Sequence, residues 1–390
     1  MKLQLKRQVP CYSTWQEVHD MNRGLAILIL TLLAPMAWGG EVHVSAYYYP
    51  LYKGDLDKRF DRTLRSQLEP PQLPVLGRYD SNDASTLKQH REWSKDYGID
   101  TWICSWNGTE YWSDYIIHEQ IAVSDEDDPI TFSILYESAS RLEYRRGIVL
   151  DKDNAQTLRE DMQYIAWNYF HRENYQRIDG RPVVYLKLSR EYKGDVAGTL
   201  RRIRRDMLDI GKDIFIVGDE ISLTTKPDIA RLRMFDAITS YTMYDGKDYA
   251  GYPSETGYVE AVKKQFALYK KAAEEAGVLF IPNVMPGFNN KGVRPRGTIG
   301  AIPRKTAANA EEGSTLAALC DAVNEVMGDS DYYVTVTSWN NWGEDTQVEP
   351  VAHANPTSND SSEKEPLTEG YLYTGYETTP LEILKDKFGK

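Results

Sequence analysis

The stretch TVTSWNNWGEDTQVEP, residues 335–350, joins two kinds of sequence. Its first residues continue a strand-like run that begins at Tyr332. Trp339, Asn340, Asn341, Trp342, Glu344 and Asp345 then crowd together where that run stops. Chemistry placed at the end of a buried strand is the habit of parallel barrels, whose sites gather at the C-terminal ends of the strands. Seven further runs of similar character precede it: Val42–Tyr49, Thr101–Trp106, Ile130–Glu137, Pro182–Ser189, Asp213–Asp219, Ala237–Met243 and Leu279–Pro286. Helical periodicity separates them, over Ala84–Tyr97, Asn154–His171, Gly198–Ile210, Asp228–Phe235, Val259–Ala276 and Thr306–Met327, with Leu381–Phe388 closing the chain. Parallel neighbours need crossovers, so eight strands alternating with helices predict an α/β fold: a single (β/α)8 TIM barrel with extended βα loops. An open doubly wound sheet is the alternative, but no glycine fingerprint follows the first strand. The Ser-, Asp- and Glu-rich segment 355–366 reads as a surface loop.

The chain of 390 residues is 41% hydrophobic and 27% charged, as a soluble globular protein is. A formal net charge of −12 argues against nucleic acid or an anionic membrane as partner. Residues 1–20 read as an upstream extension. From Met21 the pattern is that of a signal peptide over 21–39: Arg23, an apolar stretch Leu25–Leu33, then the small-x-small site Ala37-Trp38-Gly39. The apolar stretch is short for a membrane span. The expected barrel is therefore 40–390, secreted or periplasmic, with no membrane partner once the leader is removed. Of the three cysteines, Cys11 precedes the leader, Cys104 falls in a strand and Cys320 on a helix; they have no metal-binding spacing.

The ends of the expected strands share one character. They carry Tyr47, Tyr49 and Tyr52; Trp106 and Asn107; Glu137; Asp219 and Glu220; Tyr241, Tyr244 and Asp245; Asn289; and the opening knot. These are aromatics, amides and carboxylates, without lysine clusters or phosphate loops and almost without histidine. No metal and no cofactor is expected. Aromatic faces stack on sugar C–H surfaces, and carboxylates supply the proton transfers of glycoside cleavage. A glycan is thus the expected partner. Each residue alone has a plainer reading: Trp106 or Trp339 fills the barrel, Glu137 pairs with an arginine, Glu344 caps a helix.

Several blocks in order resemble glycoside hydrolase family 99 and its relatives: YYYPLY from Tyr47, PVLGRYDSNDASTLKQHREWSKDYGIDTWICSWNG from Pro74, RIDGRPVVYL from Arg177, MPGFNNKGVRP from Met285, and TSWNNWGEDTQVEP from Thr337. The resemblance implies a (β/α)8 barrel and retaining, endo-acting cleavage of α-mannosides without a metal. It implies one carboxylate that helps the substrate's 2-hydroxyl attack the anomeric carbon, giving a 1,2-anhydro sugar, and a second, three residues on, that acts as acid and then base. The second maps to Glu344. The first maps to Asn341, an amide that cannot accept a proton at ordinary pH. The family's intervening His is Gly343, two aspartates are Asn289 and Asn290, and a second Trp is Asn107.

Two function classes follow. In the first, a glycosidase acts through Glu344 with Asn341 orienting the 2-hydroxyl or with a relocated partner among Glu137, Asp345 and Glu220. In the second, the barrel binds glycans with little or no cleavage. Substrate contacts are expected from Tyr47, Tyr49, Tyr52, Trp106, Asn107 and Tyr241, and on the later loops from Tyr244, Asn289, Arg294, Trp339, Trp342 and Gln347.

Overall fold

The computed structural model describes residues 40–56, 58–123, 130–244, 251–253, 257–295, 300–363 and 366–389. The expected extension 1–20, the leader 21–39 and Asp245 lie outside them.

Eight parallel staves form the centre. They are β1 Val42–Tyr48, β2 Thr101–Trp106, β3 Thr131–Tyr136, β4 Arg181–Leu186, β5 Phe215–Asp219, β6 Ala237–Thr239, a divided β7, and β8 Tyr332–Val336. The order runs β6-β5-β4-β3-β2-β1-β8, every pair parallel. The seventh stave breaks at Ile281-Pro282. Its first piece, Leu279–Phe280, pairs with β6, and its second, Asn283–Val284, pairs with β8, which closes the ring. The expected (β/α)8 barrel is the observed fold.

Strand alternation sorts the residues into two layers. Inward positions Tyr47, Ile103, Leu135, Val183, Tyr185, Phe215, Val217, Ala237 and Ile281 fill the barrel. Outward positions such as Val44, Cys104, Ile134, Val184, Ile216, Val334 and Val336 pack under the helices. Those helices are α1 Ala84–Asp96, α2 Lys152–Asn168, α3 Val196–Asp209, α4 Tyr258–Ala276, α5 Ser314–Met327 and α6 Thr379–Phe388. The first three start at aspartate caps, Asp83, Asp151 and Asp195, whose side chains accept from free N–H groups of the first turn.

Three details depart from expectation. The helix expected over Thr306–Met327 starts only at Ser314, after Gly313 at φ 84. The preceding residues instead carry Arg304 and Glu312 into a buried ion pair. The helix expected over Asp228–Phe235 is the single turn Ile229–Leu232. A two-stranded antiparallel hairpin, β9 Val351–Thr357 and β10 Tyr373–Glu377, was not anticipated, and it takes up Asn355–Thr357 of the expected loop. Its first strand carries a proline and little apolar alternation, so no period-2 signal announced it.

Candidate active site

The inward parity of the staves does not stop at the barrel core. Two residues beyond Tyr47 is Tyr49; beyond Leu135, Glu137; beyond Tyr185, Lys187; beyond Val217, Asp219. Tyr241 lies two beyond Thr239, whose hydroxyl meets that of Thr335 across the barrel. Five staves, β1, β3, β4, β5 and β6, thus end by lifting one polar side chain toward the mouth. Asn341 and Glu344 join them from the turn after β8, both half-buried.

These side chains form one hydrogen-bonded chain. Lys187 Nζ donates to Glu137 Oε1 at 3.2 Å and to Tyr49 Oη at 3.0 Å. Tyr49 donates to Tyr241 Oη at 2.6 Å, and Tyr241 donates to Glu344 Oε2 at 2.9 Å. Asn341 Nδ2 donates to both Tyr241 Oη at 2.9 Å and Glu344 Oε2 at 2.7 Å. Ser105 Oγ donates to Glu137 Oε1 at 2.8 Å. The two carboxylates are therefore held alike. One oxygen of each, Glu137 Oε1 and Glu344 Oε2, receives two donors. The other accepts no hydrogen bond among the described residues and is not sealed from solvent.

Charge follows from this packing. Burial works against the Lys187 ammonium, but Glu137, Tyr241 and Glu344 outweigh it and hold it charged beyond the ordinary lysine range. It also lies 3.9 Å over the Tyr241 ring. Burial, then the negative charge of Glu344, keeps the Tyr241 phenol neutral well above its usual range; Tyr49 is held neutral by burial, Glu137 and Glu344.

Most of the opening knot is a frame for this chain. The Asn340 amide grips the Tyr49 peptide at both ends, accepting from Tyr49 N at 2.7 Å and donating to Tyr49 O at 3.1 Å. Asn341 N is held by Ser338 Oγ at 2.8 Å, and Tyr241 N by Asp219 Oδ1 at 3.1 Å. Asp345, at φ 50, turns the chain away immediately after Glu344 and is fixed by Arg65 Nε at 2.5 Å. Asn289 N closes the turn from the β7 side on Glu344 O at 2.7 Å.

Several expected contacts have other places. Tyr47 is fully buried beneath the site, edge-on to Tyr241 at 5.0 Å. Trp106 has outward parity: it is sealed between Tyr136 and Tyr164, its indole donating to Asp114 at 2.6 Å. Trp339 is sealed beside His90 and Trp102. Trp342 packs with Tyr52, Phe60 and Tyr79 and donates to Glu349 at 2.7 Å; Tyr52 stacks on Phe60 and donates to Asn340 O at 2.7 Å. Gln347 is buried against Asp345 at 3.1 Å. The Asn289 side chain donates to Leu367 O and Tyr373 Oη. These residues build the frame because their backbone positions point them into the protein. Asn107 does reach the rim, 3.4 Å from Ser105 Oγ. Tyr244 lies apart, stacked on Phe288 at 5.3 Å and accepting from Gly300 N. Arg294 is exposed, with no ion pair among the described residues.

Of the alternative carboxylates, Asp345 is committed to Arg65, and Glu220 is buried against Arg231 at 2.6 Å and Ser189 at 2.7 Å. Glu137 alone joins the chain to Glu344. Lys187 escaped the sequence reading, although its parity with Val183 and Tyr185 marked it. Among the described residues no three His, Cys, Asp or Glu side chains converge to hold a metal ion.

Residues 43–377 match the model of Glycosyl hydrolase family 99. No curated protein matches the chain. Among solved structures, the chain is similar to a GH99 endo-alpha-mannosidase from Bacteroides thetaiotaomicron, at 18% identity over 89% of this chain and 97% of the other, with a TM-score of 0.59. It is also similar to a glycoside hydrolase-like protein, at 19% identity over 90% and 94%, with a TM-score of 0.65. These likenesses carry the fold. The family match, running through the barrel from the first stave to the outer hairpin, carries the assignment: this chain belongs to Glycosyl hydrolase family 99.

Proposed function

We propose that the protein is a retaining, endo-acting glycoside hydrolase that cleaves an α-linked, α-mannoside-like glycan outside the cytoplasm, with Glu344 as general acid and base. One observation supports this most. Glu344 Oε2 is anchored by Tyr241 and Asn341, while Oε1, at the mouth of the barrel, has no hydrogen-bond partner among the described residues. A carboxyl so held can carry its proton on Oε1 and pass it to a glycosidic oxygen.

Glu137 is the second carboxylate. Asn341 cannot take a proton, and its amide is spent as a donor to Glu344. Glu137 receives two donors on Oε1 and turns its second oxygen to the same mouth. In the first step Glu137 takes the proton of the 2-hydroxyl as that oxygen closes on the anomeric carbon. The C1–O bond breaks, and the departing oxygen takes the Glu344 proton. In the second step water opens the 1,2-anhydro ring, giving a proton to Glu344, and the ring oxygen recovers its proton from Glu137. Both carboxyls end as they began.

A second reading is favoured by Asn341 itself, a neutral amide where the family resemblance implies a carboxylate: a barrel that binds the glycan and leaves it intact. A reducing-end assay over a polysaccharide panel separates the two. New reducing ends with wild type and none with Glu344→Gln support the hydrolase. Saturable binding by both proteins, with no product from either, supports the binder.

A further inference from the structure

We propose that Lys187 is a positioning residue for the Glu344 proton, acting through Tyr49 and Tyr241, with the same ammonium also donating to Glu137. This rests on the reading of Glu344 as the acid.

An ammonium has three donors and no acceptor capacity. Lys187 must therefore donate to Tyr49 Oη, which lies 3.0 Å away. Tyr49 has one proton, and with its oxygen accepting from Lys187, that proton goes to Tyr241 at 2.6 Å. Tyr241 already accepts from Tyr49 and from Asn341, so its own proton is directed at Glu344 Oε2. Each step leaves the next one orientation. With Asn341 Nδ2 donating to it as well, at 2.7 Å, Glu344 Oε2 faces two donors, and a proton on Glu344 is left Oε1, the oxygen open to the cleft. At its other end Lys187 donates directly to Glu137 Oε1, beside the Ser105 hydroxyl.

Among the described residues no other cation is placed on the Tyr49–Tyr241–Glu344 chain. Lys187 is faced by Tyr49 after β1, Glu137 after β3, Tyr241 after β6 and Glu344 after β8. Asp219, at the end of β5, is engaged by Arg190 at 2.5 Å and by Leu188 N at 2.9 Å. Asp345, next to Glu344, is engaged by Arg65. A lysine serving only as a strut needs Glu137 and no more. Lys187 also sits on the first hydroxyl of the chain that ends at Glu344.

The test reads carboxyl protonation without turnover. The C=O stretch of protonated carboxyls is followed by infrared difference spectroscopy against pH, with Glu344→Gln and Glu137→Gln assigning the bands. In Lys187→Met both bands persist to higher pH than in wild type, that of Glu137 by about one pH unit, because a neighbouring cation is lost. Tyr49→Phe breaks the chain by one oxygen: it alters the Glu344 band and leaves that of Glu137 in place. Lys187→Arg restores the wild-type bands. In turnover, Lys187→Met lowers kcat about tenfold or more with KM within about twofold, and moves the pH optimum upward. The proposal is overturned if both bands stay put in Lys187→Met and the Glu344 band stays put in Tyr49→Phe. Absence of turnover in wild type would count against the hydrolase reading, while the infrared result would still decide the role of Lys187.

Discussion

Replacing Arg65 by methionine tests whether the frame around Glu344 is held by buried charge. Arg65 is about 1% exposed and binds Asp345 Oδ1 through Nε at 2.5 Å, Gln72 and Thr374 O through Nη1, and Glu312 through Nη2 at 3.4 Å. Its guanidinium also lies 4.9 Å from the Tyr376 ring centre. Methionine keeps much of the stem and its packing but removes the charge. Glu312 retains Arg304 at 2.8 Å. Asp345 is left with Gln347 alone for Oδ1, and its Oδ2 has no partner even now. Breaking a buried pair while one charge stays costs roughly 3–5 kcal/mol. For a domain of about 350 residues, ~4 kcal/mol at the midpoint lowers Tm by roughly 5 °C. Adding Asp345→Asn removes the stranded charge, so the double variant recovers about 2 kcal/mol relative to additivity. Chemical and thermal denaturation of wild type, both single variants and the double variant measure this cycle. Because Asp345 directs the turn that carries Glu344, kcat falls along with stability. An Arg65→Met protein within about 1 kcal/mol of wild type, or additive singles, would refute the reasoning.

Other outcomes follow from the same geometry. Asn340→Ala removes both grips on the Tyr49 peptide, lowering stability by about 2–3 kcal/mol and kcat by an order of magnitude or more, measured by denaturant melts and steady-state kinetics. Trp106→Phe costs about 1–3 kcal/mol in the same melts and leaves KM unchanged, since the indole faces helices and not the cleft. The Lys187 contribution to stability has a defined pH window. Its ammonium is held above the unfolded lysine value of about 10.4, so the contribution is fully present below that pH and is lost only as pH rises beyond it. The difference between wild type and Lys187→Met is thus flat from pH 7 to about pH 10; its disappearance below pH 9 would contradict the packing. In the proposed mechanism a 2-fluoro substrate lacks the hydroxyl assigned to Glu137 and stays uncleaved; a glycosyl group found on Glu137 by mass spectrometry would make that residue a nucleophile instead.

The fold was legible because period-2 burial and crossover helices leave a strong imprint. All eight expected staves sit where the apolar runs placed them, including the seventh, whose break at Ile281-Pro282 lies inside the expected run. The site was legible by location and less so by residue. The strand ends converge on one mouth, but which way each side chain points depends on parity and on the turn beyond. Trp106 and Trp339 look like sugar platforms in sequence and are sealed in the layer under the helices: Trp106 continues the outward row of β2, and Trp339 is carried there by the turn beyond β8. Lys187 continues the inward row of Val183 and Tyr185, and it looked unremarkable among surface lysines only because charge was read without parity. Asn340 beside Asn341 shows the remaining difficulty. Two identical neighbours do different work, one gripping Tyr49 and one donating to Glu344, and only the three-dimensional turn tells them apart.

The measurement that bears most directly on the whole account is the structure of Glu344→Gln with an uncleaved α-mannoside oligosaccharide. The account predicts the side chain at 344 within hydrogen-bonding distance of the glycosidic oxygen, and the free oxygen of Glu137 facing the 2-hydroxyl of the same sugar. An oligosaccharide seated away from residue 344, or with its glycosidic oxygen turned toward another carboxyl, would contradict it.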